Sequence, residues 1–152
     1  QLMDRLEEML HSTPYSRFAV LFLDLNGFKS VNDTLGHTVG DQLLIIVGKR
    51  LSHNLREQDL LVRFGGDEFV IVLDDIQEQD SAIEVAHRIH QTLTRPVTLN
   101  GVEITISTSI GIVFDHPNYT DPTPILRDAD IAMYQAKNSG ASYVIFDPSI
   151  SV

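Results

Sequence analysis

Two short stretches of this chain carry acidic side chains where a folded protein would ordinarily place apolar ones. One is Arg63-Phe64-Gly65-Gly66-Asp67-Glu68-Phe69, in which a Gly-Gly pair joins the apolar runs Leu60 to Phe64 and Phe69 to Leu73. Glycine tolerates positive φ without steric cost, so the pair predicts a tight hairpin turn whose bare backbone a flat ligand can approach. The other stretch is the end of the apolar run Phe18 to Leu23, which passes directly into Asp24-Leu25-Asn26-Gly27-Phe28-Lys29. A carboxylate at the end of a buried strand is costly unless it is paired or metal-bound. Taken alone, each stretch has a bland reading: a solubilised hairpin tip for Asp67 and Glu68, a helix cap or turn residue for Asp24. Together they supply carboxylates from neighbouring strands of one sheet. Hard oxygen ligands of this kind suit Mg2+, which takes one or two carboxylates plus substrate phosphates. A pair of such ions can polarise a phosphoryl group and activate an attacking oxygen.

The elements that must position these groups alternate along the chain. Leu2 to Leu10 has apolar residues at 2, 3, 6, 9 and 10, a helical stripe. Phe18 to Leu23 reads as a strand covered on both faces. Gly40 to Leu55 carries apolar residues at 43, 44, 47, 51 and 55, a second helical face. Ser81 to Leu93 reads as a helix capped by its serine. Val97 to Leu99 and Val102 to Ile106 flank Asn100-Gly101, a strong two-residue hairpin signal. Ile110 to Phe114 predicts a strand, Pro124 to Lys137 a helix and Tyr143 to Phe146 a last strand. Helices interleaved with at least two hairpins predict a mixed α+β sheet with helices packed on it, not a purely parallel one. No linker, repeat or low-complexity stretch interrupts the pattern. The first helix opens at residue 1 with no cap, so the chain is expected to be a single domain, 1–152, excised from a longer multidomain protein.

Composition narrows the function classes. At 152 residues, 43% apolar and 21% charged, the chain fits one globular domain with one core. No window approaches the ~20 apolar residues of a membrane span, and no secretory signal opens the chain, so no membrane contact is expected. There is no cysteine, which excludes disulfides and thiolate metal sites and fits a cytoplasmic setting. A net charge of −10 argues against nucleic acid as partner, since such proteins normally show a basic face. An acidic protein can still hold a polyphosphate if its carboxylates first hold divalent cations and a few lysines sit locally.

Gly65-Gly66-Asp67-Glu68-Phe69, with Asp24-Leu25-Asn26-Gly27-Phe28-Lys29-Ser30-Val31-Asn32-Asp33 and Gly36-His37-Thr38-Val39-Gly40-Asp41 before it, resembles the hallmark blocks of the GGDEF family of diguanylate cyclases. The pattern runs from about Phe18 through Tyr134-Gln135-Ala136-Lys137, most of the chain. The resemblance implies a central, mostly antiparallel five-stranded sheet flanked by helices, the palm-type nucleotidyl cyclase (ferredoxin-like) fold. It implies condensation of two GTP molecules into cyclic di-GMP, with two Mg2+ or Mn2+ ions per active site. By the same resemblance Asp24 and Asp67 bind the metals, the carbonyl of Leu25 adds a ligand, and Asp67 is the favoured acceptor of the ribose 3′-hydroxyl proton. Glu68 is a further ligand or shares the proton transfer, and the sequence leaves these roles open. Lys29 and Lys137 correspond to lysines that neutralise phosphate charge, Gly65 and Gly66 to backbone lining the substrate, and His37 to a substrate-proximal position. Asn32 and Asp41 match the guanine-reading pair: a carboxylate accepts from the N–H edge of guanine and an amide meets its acceptors.

Arg56-Glu57-Gln58-Asp59 fits the family's Arg-x-x-Asp inhibitory pattern, implying a product site at Arg56 and Asp59. The bland alternative there is a surface ion pair at a helix end. One GTP per domain implies a homodimer for catalysis, and an attached sensory or phosphodiesterase domain is expected. The chain departs from the family in three places. Asn26 stands where an acid is common, Gly140-Ala141-Ser142 replaces a Gly-Arg-Asn element, and the usual Leu-Thr-Gly segment before the first helix is not in this chain. The last two favour a rival reading, a weak or inactive domain that binds GTP or cyclic di-GMP and regulates an attached partner; the intact Asp24, Lys29, Asp67 and Glu68 oppose it. His87 and His90 read as helix-face residues, Asn118-Tyr119-Thr120 as an incidental glycosylation sequon, and Asp128 and Asp130 as acids early in a helix.

Overall fold

The apolar run from Phe18 carries its strand through the acidic tail: β1 spans Phe18–Asn26. The structure is a computed structural model that describes residues 1–11 and 17–147. Helix α1 (Leu2–Leu10) precedes β1, and α2 (Phe28–Leu35), α3 (His37–Ser52), β2 (Leu60–Arg63), β3 (Glu68–Asp74) and α4 (Gln79–Leu93) follow it. The chain continues with β4 (Val97–Leu99), β5 (Val102–Ile104), β6 (Ser107–Phe114), α5 (Pro122–Ser139) and β7 (Tyr143–Ile145). Five strands form one sheet in the order β2-β3-β1-β6-β7, antiparallel except for the β6–β7 pair. The expected mixed, mostly antiparallel sheet flanked by helices is therefore what the chain forms.

Strand alternation decides which side chains meet which helices. Ala19, Leu21, Leu23 and Leu25 enter a core with residues of α2, α3 and α4. Phe18, Val20 and Phe22 enter a second core with residues of α1 and α5. Asp24 and Asn26 continue that even-numbered series, so they face the α5 side. Helix α5 lies unusually close to the sheet at Gly111, where a Cβ would stand 2.1 Å from the Ala129 carbonyl oxygen. Only glycine leaves room for this approach.

Several boundaries differ from the sequence reading, each for a physical reason. Helix α2 was not expected, because its residues Phe28–Leu35 mix Ser, Asn, Asp and Thr and follow Gly27, which takes φ of 92°. Helix α3 begins at His37 and ends at Ser52, three residues earlier at each end than its apolar stripe suggested. Helix α4 starts at Gln79 after Glu78 with no side-chain cap, so Ser81 is inside the helix and does not cap it. Asn100 and Gly101 take φ of 52° and 77°, the positive values that a two-residue hairpin of this kind requires, but β4 and β5 form a separate two-stranded sheet. Asp121, whose side chain accepts from the Thr123 N–H, is the cap of α5. Asp128 is thus not a first-turn acid: it is buried and accepts a 2.6 Å hydrogen bond from the Tyr119 hydroxyl. Burial and that hydrogen bond both push the Tyr119 phenol above its ordinary range. Among the described residues no helix is long and apolar enough to cross a membrane.

Candidate active site

Register brings the two acidic stretches together. On the ladder, Asp24 pairs with Glu68 of β3 on one side and with Ser109 of β6 on the other. Glu68 shares its face with Val70 and Val72, which lie in the α5-side core, so its side chain projects on the same side as Asp24. Asp67 precedes it, and its carbonyl accepts from the Leu25 N–H at 3.1 Å, tying the hairpin to the end of β1. The Asp24 carboxylate is nine-tenths buried. Its Oδ2 accepts from Lys137 Nζ at 2.8 Å, while Oδ1 is buried with no hydrogen-bond partner.

The electrostatics follow from that crowding. Burial, and then the negative charge of Asp24, raise Asp67 above the usual carboxylate range. Burial and Asp24 do the same to Glu68, with further contributions from Asp130 and Asp67. The hydrogen bond to Asp24 holds Lys137 above its ordinary value, so it stays an ammonium at neutral pH. One lysine thus faces several acids, with a desolvated carboxylate oxygen left over. A hard divalent cation fits that arrangement, since it would satisfy Asp24 Oδ1 and offset the repulsion among the acids. Among the described residues no three His, Cys, Asp or Glu side chains cluster closely enough to hold an ion by themselves. The remaining ligand positions suit a backbone carbonyl and substrate phosphates, as is usual for Mg2+.

The Gly-Gly turn is built differently from the sequence expectation. Neither Gly65 nor Gly66 takes positive φ. Residues 64–67 form a four-residue loop closed by the Phe64 N–H on the Glu68 carbonyl at 2.8 Å. What Gly65 supplies is space, because a Cβ there would stand 2.4 Å from Glu68 Oε1. The Arg63 guanidinium donates to the carbonyls of Gly65 and Gly66, at 3.2 and 2.9 Å, and braces the loop from outside. The Phe64 ring meets Phe22 edge-on at 5.4 Å. Arg63 opens the hairpin stretch but was given no role in the sequence reading, although a cation beside a turn was its available signal.

A second group the sequence reading missed lies beside Asp24. The Asn26 amide donates to the hydroxyls of Ser107 and Ser109, at 3.2 and 3.0 Å. The Thr108 hydroxyl donates to the Asp24 carbonyl at 3.0 Å. Asn26 therefore lays a neutral hydrogen-bonded floor next to the carboxylates, where an acid would add one more negative charge. Alternation at 24 and 26, opposite 107 and 109, was the clue.

Gly27 turns β1 directly into α2, which places Lys29 and Asn32 at the same end of the sheet as Asp24. Lys29 is exposed in the first turn of α2. Asn32 is half-buried against Gly40 of α3, beside Asp41, with its Oδ1 buried and unpartnered. His37, at the start of α3, and Asp41 are both exposed. Arg56 and Asp59 lie elsewhere. Arg56 Nη2 meets Asp59 Oδ1 at 2.9 Å and Nε meets Oδ2 at 3.3 Å. Asp59 also accepts from the backbone N–H groups of Arg56 and Asp74. The Asp59 side chain is only 2% exposed, against 47% for Arg56, so this is not a freely solvated surface pair. Asp59 raises Arg56 further above its ordinary value. The pair borders a cavity of about 240 Å³, lined also by Leu73, Ile76, Glu84 and Arg88. It sits at the Asp74 end of β3, roughly 20 Å from Glu68 at the strand's other end by strand rise. His87 lies exposed on α4, while His90 Nδ1 is buried, so only the first is a free helix-face residue.

Comparison with known families gives the same frame. The profile of the family described as "Diguanylate cyclase, GGDEF domain" matches residues 1–142. This chain belongs to the GGDEF family. Among relatives of this GGDEF domain, the bifunctional diguanylate cyclase/cyclic di-GMP phosphodiesterase MucR of Pseudomonas aeruginosa is 40% identical over 97% of the chain, which spans 22% of that protein. Diguanylate cyclase TpbB of the same species is 41% identical over 80% of the chain, which spans 28% of its length. The crystal structure of the TpbB GGDEF domain superposes with a TM-score of 0.90 at 34% identity, covering 96% of this chain and 93% of that one. Cyclic di-GMP phosphodiesterase NbdA, also of P. aeruginosa, is 38% identical over 84% of the chain, 16% of its own length. The chain thus spans between 16% and 28% of the length of these curated relatives. Its fold is that of GGDEF structures, the palm-type nucleotidyl cyclase fold.

Proposed function

We propose that this GGDEF domain is the catalytic unit of a diguanylate cyclase that condenses two GTP molecules into cyclic di-GMP. The observation that carries the reading is Asp24: a buried carboxylate with one oxygen on Lys137 and the other unpartnered, beside Asp67 and Glu68. Asp24, Asp67, the Leu25 carbonyl and Glu68 are the groups that would hold Mg2+ or Mn2+. When bound, two such ions polarise the α-phosphate and make the ribose 3′-hydroxyl more acidic. Asp67 takes the 3′-hydroxyl proton as that oxygen attacks the α-phosphorus of a second GTP. The bond to the pyrophosphate oxygen breaks, and the step is repeated to close the ring. Lys29 and Lys137 offset charge on the phosphates as it develops. Lys137 reaches Asp24 now, so it can exchange one anion for another without crossing the site. Asn32 and Asp41 hold the guanine, and His37 lines its approach. This chemistry belongs where GTP is, in the cytoplasm. The direct test is incubation of concentrated protein with GTP and Mg2+, with product identified by mass and Asp67→Ala as control.

Each domain holds one GTP, so two must face each other, and a symmetric homodimer is the active species. Specific activity is expected to rise with protein concentration. A specific activity that stays constant on dilution through the dissociation range would count against the dimer. NbdA, named only as a phosphodiesterase, favours a second reading in which the domain binds GTP and regulates an attached phosphodiesterase. Saturable, Mg2+-dependent GTP binding with no product would support that reading over catalysis.

The Arg56–Asp59 pair is our proposed product site. Its arginine is presented by a buried acid, and an arginine can grip guanine O6 and N7 in bidentate fashion. Arg56→Ala is expected to raise the cyclic di-GMP concentration needed for half-inhibition by roughly tenfold or more. Inhibition identical to the parent's would remove the assignment.

A further inference from the structure

Gly40 lies in the first turns of α3, facing the side chain of Asn32 on α2. A Cβ at that position would stand 1.7 Å from Asn32 Oδ1 and 2.8 Å from its Cγ, with Nδ2 farther off at 3.5 Å. Any residue but glycine there forces the Asn32 carboxamide to move. The helix itself does not need glycine at 40. Its φ is not positive, and glycine inside a helix is less favourable than alanine. What glycine gives in exchange is the placement of one side chain. Asn32 rests its oxygen against the bare Cα, buried and without a hydrogen-bond partner, which leaves the NH2 as the outer end of the amide. Asp41, the other proposed base contact, is the next residue after Gly40.

The geometry points to Gly40 as a positioning residue for base selection, one that never touches the nucleotide. It provides the space in which Asn32 is held ready to meet guanine. The inference rests on the reading of Asn32 as a guanine contact. It adds to that reading the residue that sets the amide's position, and a route by which base preference changes while the contact residues stay intact.

The experiment is calorimetric titration of the non-cleavable α,β-methylene analogues of GTP and of ATP, each with Mg2+, into the parent, Asn32→Ala, Gly40→Ala and the double variant, with melting as a check on folding. The atoms in the way are the far end of a flexible side chain, so Gly40→Ala is expected to fold and to melt no lower than the parent. Its Kd for GTP is expected to rise roughly tenfold, as for Asn32→Ala, with ATP binding little changed, so the preference for GTP narrows. The double variant is expected to bind no more weakly than either single one, because both changes remove the same contact. Parent-like GTP binding by Gly40→Ala beside a weakened Asn32→Ala would overturn the inference, as would full additivity. Parent-like binding by Asn32→Ala would instead overturn the guanine reading of Asn32, and the role of Gly40 with it. Should Gly40→Ala fail to fold, Gly40→Ala/Asn32→Gly decides: restored folding supports the collision, and continued unfolding refutes it.

Discussion

Asp67→Ala is expected to lower cyclic di-GMP formation by on the order of 10³-fold or more while leaving the fold at least as stable as the parent's. The two halves of that expectation share one cause. Asp67 is partly buried and lies within the field of Asp24, and both raise its folded-state pKa above the unfolded value. A carboxyl group with a raised folded pKa binds its proton more tightly in the native state, so stability falls as pH rises from the unfolded pKa through the folded one. Above its folded pKa the ionised Asp67 is therefore a net cost to folding, and its removal takes that cost away. The same charge is what a divalent cation and the ribose hydroxyl proton require. Stability given up for a poised acidic group is a recurrent feature of active sites. The measurement is product mass per unit time at saturating GTP and Mg2+, paired with thermal melting of both proteins without metal. Product formation within tenfold of the parent would refute the role of Asp67. A large fall in melting temperature would show that the acid has a structural partner.

How much of this was legible in the sequence depends on the range of the interactions involved. The first strand was readable because an unbroken apolar run is a local signal, whereas the face of Asp24, continuing Phe18, Val20 and Phe22, became visible only in the packed sheet. Its meeting with Glu68 follows once the hairpin and β1 share a sheet. Helix α2 was not readable, since a short polar helix after a positive-φ glycine has the composition of a turn. Ser81 failed as a cap because the helix gains its start from the preceding backbone, two residues earlier than the apolar stripe reveals. Asp128 looked like a dipole-compensating acid, but Tyr119, nine residues away on a loop, had claimed it. The Gly-Gly turn was expected for its φ angles, yet neither glycine takes positive φ and only Gly65 is used for space, beside Glu68. Spatial reasons for glycine depend on what lies across from it, which spacing along the chain does not encode.

Gly111→Ala carries the second large effect, and it is the counterpart of Gly40→Ala. Both changes add one methyl group, yet they meet different neighbours. At Gly40 the obstacle is a side-chain amide that can rotate away. At Gly111 a Cβ would stand 2.1 Å from the Ala129 carbonyl oxygen, 2.3 Å from Met133 N and 2.9 Å from the Ala132 carbonyl carbon, all backbone of α5. A hydrogen-bonded helix cannot fold away one carbonyl, so α5 must lift from the sheet as a body. That opens the core in which Ile125, Ala129 and Met133 pack against Phe22 and Val113. Overpacking against an element that cannot yield falls at the upper end of the usual range, about 3 kcal/mol. For a domain of this size that is a fall of roughly 6–12 °C in melting temperature. The lift also moves Lys137, one turn beyond Met133, away from Asp24. GTP affinity is therefore expected to fall together with stability, whereas Gly40→Ala loses affinity alone. Melting within a degree or two of the parent would mean that α5 is not held on β6 through Gly111. Lowered melting with parent-like GTP binding would separate the packing of α5 from the placement of Lys137.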